Sequence, residues 1–205
     1  MSRSTRCLLG ALLLLPGGVA AQSAADPLAM RTLGRATAPV TVYEMSDFQC
    51  PFCRRHAIET FPTLEREYIA TGKVRWIFIN FPLTSIHPNA VAAHELAMCA
   101  GRQGKFWEAH NLVFRTQATW SPLRDPGPFL TSLVDSLRLP KAPMARCLES
   151  AATRKEVESD TEGSIRAGAN STPTFYIEGG LMAGAQPLPV FRKVLDSIVA
   201  VKGGR

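Results

Sequence analysis

The pair in Cys50-Pro51-Phe52-Cys53 constrains this chain more than any other stretch. It follows an apolar run, Val40-Thr41-Val42-Tyr43, and precedes a helix-like segment. One thiol therefore falls at the start of a helix and the other one turn inside it. Free N–H groups and the macrodipole at a helix N-terminus favour an anion, which predicts an acidic Cys50. Pro51 suits the first helical position, where its missing N–H costs nothing. Zinc sites use the same spacing; a strand-to-helix junction in an exported chain turns it into a redox signal.

Export is read from the first 21 residues. Met1 to Ala21 carries Arg3 and Arg6, an apolar run from Leu8 to Leu15, and small residues at Val19-Ala20-Ala21. This is the plan of a signal peptide, with an apolar run too short to span a bilayer. Cys7 lies ahead of the apolar core, which disfavours a lipoprotein. No later segment is long and apolar enough for a membrane span, so the mature chain from residue 22 to 205 is expected to be a soluble, extracytoplasmic or periplasmic domain. Without the leader the chain has 21 basic and 17 acidic residues, a charge of +4, dispersed rather than clustered. That excludes a nucleic-acid footprint.

Four cysteines survive export: Cys50, Cys53, Cys99 and Cys147. Four allow three pairings. Adjacency favours Cys50 with Cys53, which leaves Cys99 and Cys147 either bonded to each other or as two buried free thiols. The histidines His56, His87, His94 and His110 lack metal-site spacing. His110 reads as a core residue, and His56 with Arg54 and Arg55 as a solvated helix face.

Along the chain, Leu28 to Leu33 predicts a short edge strand and Gly34 to Pro39 a turn. Val40 to Met45 predicts a buried strand interrupted by one acid, Glu44. A helix follows from Pro51 to about Thr71, stopped by Gly72 and kinked at Pro62. Val74 to Phe81 is a second strong strand, completing a right-handed parallel unit. From about residue 86 to 168 the pattern is helical, with one apolar face at Leu130, Leu133, Val134 and Leu137 and another at Phe106, His110, Val113 and Phe114. Thr172 to Ile177 and Leu181 to Ala183 form a hairpin around Glu178-Gly179-Gly180. Pro187 opens a last helix with the stripe Leu188, Phe191, Leu195, Ile198. The fold class is α/β: a central mixed sheet flanked by helices, with a helical insertion.

Four anchors carry a family resemblance: Ala38-Pro39-Val40-Thr41-Val42, Asp47-Phe48-Gln49-Cys50-Pro51-Phe52-Cys53, Gln103-Gly104-Lys105-Phe106-Trp107 and Ser171-Thr172-Pro173-Thr174-Phe175. Together, over about Leu33 to Val199, they resemble the DsbA-like branch of the thioredoxin superfamily, and the fold expected is the thioredoxin fold with an inserted helical subdomain. The resemblance implies that Cys50 is the attacking, substrate-exchanging thiol and Cys53 the buried partner that resolves the mixed disulfide. It implies that Glu44 moves a proton to and from Cys53. It places Pro51 and Phe52 with Thr172 and Pro173 at the substrate-binding surface, Pro173 as a cis-proline, although trans is the default for an X–Pro bond. Cys99 and Cys147 resemble a second, structural disulfide of some relatives.

The family archetype has a cysteine pKa near 3.5, against about 8.5 for a free thiol, a preference of about 7 kcal/mol for the thiolate. Where that archetype has His between the cysteines, this chain has Phe52, which offers neither charge nor hydrogen bond. A milder oxidant is therefore expected.

The function these readings imply is a thiol:disulfide oxidoreductase that introduces disulfides into reduced exported polypeptides and is reoxidised by a membrane quinone-linked partner. No cofactor or metal is expected, and a monomer is. A reductase needs only a different potential. Isomerases of this compartment resemble V-shaped dimers with an added N-terminal dimerisation domain, for which residues 21–40 leave no room. From other classes, a thiolate metal-binding module or a peptide-binding chaperone with incidental thiols are the alternatives.

Overall fold

A computed structural model describes residues 28–203; the expected leader, residues 1–21, lies outside the described residues. Five strands form one mixed sheet: β1 (Thr32–Leu33), β2 (Val40–Ser46), β3 (Val74–Asn80), β4 (Thr174–Ile177) and β5 (Gly180–Ala183), in the order β1-β3-β2-β4-β5. β2 and β3 run parallel, with Val40 opposite Val74 and Ser46 opposite Asn80. β4 lies antiparallel on the other side of β2, placing Phe175 opposite Glu44, and β5 is antiparallel to β4. The hairpin turns on Glu178 and Gly179, both at positive φ (48° and 91°), the backbone a two-residue turn requires. The expected edge strand is shorter than its apolar run. Residues Ala29–Arg31 form a 3₁₀ turn and only Thr32–Leu33 pair, with β3.

The first helix, α1, covers residues 51–69 and alternates α (Pro51–Arg55, Phe61–Leu64) with π segments (His56–Thr60, Glu65–Ile69). Pro62 explains the first widening. It has no N–H for the Ile58 carbonyl, and the Phe61 N–H reaches five residues back, to the His56 carbonyl. The disturbance expected at Pro62 thus takes the form of a π turn. Gly72, at φ 79°, ends the helical run.

Six helices separate β3 from β4: α2 (Ala90–Gly101), α3 (Phe106–Arg115), α4 (Gln117–Trp120), α5 (Gly127–Ser136), α6 (Lys141–Leu148) and α7 (Ala151–Arg166), and α8 (Leu188–Gly203) closes the chain. Among the described residues no helix is long and apolar enough to cross a membrane. Two apolar clusters meet at the sheet. One joins Val40, Val42 and Trp76 to Phe61 of α1 and to Phe191 and Leu195 of α8. The other packs Phe48, Cys50, Cys53 and Phe78 against α2, α3 and α5. The cysteine pair therefore sits where the strand–helix unit adjoins the helical block. Cys99 of α2 is bonded to Cys147 of α6, 48 positions apart and 5.7 Å between Cα atoms.

Candidate active site

β2 delivers its C-terminal end to the helix start. After Ser46 the chain leaves the strand, Asp47 accepts the Cys50 N–H at 3.1 Å, and Cys50 takes the N-cap position of α1 with extended backbone (φ −69°, ψ 125°). Pro51 occupies the first turn. The Gln117 side chain on α4 donates to the Phe48 and Cys50 carbonyls, at 2.7 and 3.0 Å, clamping the loop to the helical block. His94 of α2 accepts the Phe48 N–H at 3.4 Å and is held in one tautomer by Asn80 Oδ1, 2.7 Å from its Nδ1.

The two thiols, both free, sit in opposite electrostatic environments. The pKa of Cys50 is pushed down to about 6: the Cys53 thiol donates toward it, burial opposes, and the Thr172 hydroxyl and the backbone N–H groups of Cys53 and Phe52 add to the effect. Those N–H groups are the free donors of the helix start. Cys53 is fully buried, and burial followed by the neighbouring Cys50 charge pushes its pKa well up. The Asp47 N–H donates to Cys53 Sγ at 3.4 Å. Cys50 itself is only 4% exposed. Its Sγ lies 3.4 Å from the Thr172 carbonyl, to which the thiol form donates.

Thr172 precedes Pro173 through a cis peptide bond, and both are buried beside the cysteines. The Pro173 carbonyl is taken by the Gly184 N–H at 2.7 Å. Pro51 and Phe52 are exposed. Phe52, at 54%, presents an open ring beside Cys50, with the Arg55 guanidinium 5.2 Å from its centroid.

Glu44 is 1% exposed, and its pKa is pushed up to about 7 by that burial, against hydrogen bonds from Trp76 and Ser46. Trp76 Nε1–H donates to Oε2 at 2.9 Å; Oε1 has no partner. Ser46, two residues along the same face of β2, interacts with both the Glu44 carboxyl and the Cys53 thiol. Acid, hydroxyl and inner thiol thus follow one another beneath the helix start.

His56 corrects the sequence reading. Instead of lying on a solvated face, it is buried between the rings of Phe61, Trp76, Phe175 and Phe191. Burial lowers its pKa to about 3, so it is neutral and lends no positive potential to Cys50. The neighbouring Arg54 is tied to the Phe114 carbonyl and Arg55 to that of Ala185. His110 is in the core as expected, its pKa lowered to about 4 by burial, with Nδ1 on Asn111.

Gln117, His94 and the pair of Asp47 with His87, 2.8 Å apart, escaped the sequence reading. The first two come from the helical block and carry no local signal. Asp47 did offer one: a charge three residues before a cysteine pair, at the end of an apolar strand. Among the described residues no cluster of three or more His, Cys, Asp or Glu side chains is arranged to hold a metal.

Known proteins fit this geometry. The family model described as Thioredoxin matches residues 28–197. A Na(+)/H(+) antiporter NhaA 1 of Salinispora arenicola is 29% identical over 202 residues, covering 97% of this chain and 29% of that protein; the chain spans under a third of the antiporter relatives it matches. The probable disulfide bond formation protein D of Bacillus anthracis is 30% identical over 154 residues, 74% of this chain and 70% of that one. The crystal structure of alpha-DsbA1 from Wolbachia pipientis superposes with a TM-score of 0.75 at 23% identity, over 84% of this chain and 92% of that chain. The chain belongs to the DsbA-like branch of the thioredoxin superfamily.

Proposed function

We propose that this chain is an extracytoplasmic dithiol oxidase that passes its Cys50–Cys53 disulfide to reduced exported polypeptides. The observation that carries this reading is the split between the thiols, Cys50 held down to about 6 and Cys53 pushed up. A pair with one comfortable thiolate is stabilised in its reduced form, so its disulfide is oxidising.

A client thiolate bonds to the sulfur of Cys50 and expels Cys53, which at its raised pKa must take a proton. Glu44, titrating near 7, can supply it through Ser46, which suits a group that exchanges protons near neutrality. A second client thiolate then forms the client disulfide and releases Cys50 as the thiolate that the helix N–H groups favour. The Thr172 main chain lies beside Cys50, and a client strand pairing with it, next to the cis Pro173, would be held with little regard to its side chains. Phe52 supplies an apolar contact at the rim. A quinone-linked membrane partner restoring the disulfide completes the cycle, and the oxidase works as a monomer.

A redox titration of Cys50–Cys53 in glutathione buffers tests this. The potential expected lies below the about −120 mV of the family archetype and well above the about −270 mV of thioredoxin, because the Phe52 side chain adds neither charge nor hydrogen bond to the thiolate. A potential near thioredoxin's would make the protein a reductase. Cys50→Ser should abolish oxidative refolding of a reduced client; full activity in that variant would leave a chaperone whose thiols are incidental.

A further inference from the structure

The loop between β3 and α2 brings an ion pair to the redox centre that the mechanism above does not use. Asp47 is fully buried, and a carboxylate at that depth needs a counter-charge and a full set of donors. Its Oδ1 accepts the Gln49 N–H at 2.7 Å, and its Oδ2 accepts the Leu83 N–H at 2.7 Å and His87 Nδ1–H at 2.8 Å. The Asp47 main chain meanwhile touches both cysteines, accepting from Cys50 N–H and donating to Cys53 Sγ. His87 has a side chain 14% exposed, so its ring can trade a proton with solvent where Asp47 cannot. The ionisable groups acting on His87, among the described residues, are Asp47 at the end of β2 and Cys50 at the start of α1. The hydrogen bond to Asp47, and then the charges of Asp47 and Cys50, raise its pKa against partial burial.

We propose that His87 is a positioning residue for the exchange: protonated, it offsets the Asp47 carboxylate in the loop whose main chain holds both cysteines, and it takes up a proton as the Cys50–Cys53 disulfide is reduced. This deepens the oxidase reading and rests on it. The balance closes. A client dithiol gives two electrons and two protons; one proton ends on Cys53, the other on His87, and Cys50 is left as a thiolate within electrostatic reach of the imidazolium. When His87 is neutral, the same step leaves the thiolate and the Asp47 carboxylate without that counter-charge, so the thiolate and the His87 proton are linked reciprocally.

The four histidines of the chain make the test direct. Burial lowers His56 to about 3, and His94 and His110 to about 4, whereas His87 is the imidazole whose pKa is raised, by its hydrogen bond to Asp47. Followed by NMR in the full chain, it should titrate higher in the reduced than in the oxidised protein, by about half a unit or more. His87→Gln, which keeps a hydrogen-bond donor but no charge, should raise the Cys50 pKa by about one unit. That is about a tenfold loss of oxidising equilibrium constant, roughly 30 mV. Adding Asp47→Asn to that variant should bring the pKa back, which a merely structural His87 would not do. Identical His87 titration in the two redox states overturns the proposal, and that measurement needs no variant to fold. An unchanged Cys50 pKa in a folded His87→Gln protein overturns it too. If instead the wild-type cysteine pair fails to equilibrate with glutathione, it is the oxidase reading that falls.

Discussion

Two cysteine pairs lie in one continuous core and have opposite chemistry. Cys99 and Cys147 are bonded across 48 positions, Cys99 wholly buried among the apolar side chains of the helical block, with the Thr153 hydroxyl beside both sulfurs. Cys50 and Cys53 are three positions apart, and around them lie the buried polar side chains Glu44, Ser46 and Thr172, with Glu44 Oε1 left without a hydrogen-bond partner. Such atoms are costly unless something satisfies them, and a changing charge on sulfur does so for part of the cycle. A thiol is therefore made a staple or a reagent by what surrounds it, hydrocarbon in one place and helix N–H groups with a titratable acid in the other.

The comparison breaks most visibly if the staple is removed. Cys99→Ala with Cys147→Ala should cost up to about 4 kcal/mol in denaturant unfolding, the chain-entropy value for a loop of this length. The Cys50 pKa, followed by thiolate absorbance, should stay where it is. A shift in that pKa would show the two pairs to be coupled through the core they share.

Glu44 gives the next largest effect. Its folded pKa, about 7, is raised above the usual 4.5, so the native state holds the proton longer than the unfolded chain. Its stabilising contribution is present below about pH 4.5 and is lost as pH rises through 7, by up to about 3 kcal/mol. Glu44→Gln should be more stable than wild type at pH 8 by a quantity of that order in urea unfolding. It should also lose the inflection near pH 7 in the exchange rate. If that pH profile is unchanged, the proton relay falls.

Cys50 has the opposite sign. Its folded pKa of about 6 lies below the usual 9.0, so the reduced protein's stability from this group is complete above pH 9 and is lost as pH falls through 6. The smallest effect sharpens this point. Phe52→His should lower the Cys50 pKa further, by about one unit, and raise the potential by roughly 30 mV, as read in the same glutathione titration. No change would mean that the inter-cysteine side chain does not set the potential in this chain.

Much of the fold was legible because its signals are local. The apolar runs at Val40 to Met45 and Val74 to Phe81 mark the two central strands, Gly72 ends α1, and Glu178-Gly179 makes the hairpin. Pro62 announced a disturbance but not its form, since whether a helix bends or widens depends on what packs against it. His56 was misread for a similar reason. Its neighbours Arg54 and Arg55 suggest a wet face, and only the approach of β4 and α8, with Phe175 and Phe191, encloses it.

What the sequence alone determined is the position of a cysteine at the start of a helix. Proline at the first turn, an apolar strand before it and the unpaired N–H groups of any helix end are consequences of neighbouring residues. Tertiary structure decided the rest of the site. The pKa of Glu44 depends on burial under Trp76, the loop on Gln117 from 67 positions away, and the partner of the buried Asp47 carboxyl on His87, 40 positions from it. Desolvation and ion pairing act through space over a few ångströms, and distance along the chain carries no record of them until the chain has folded.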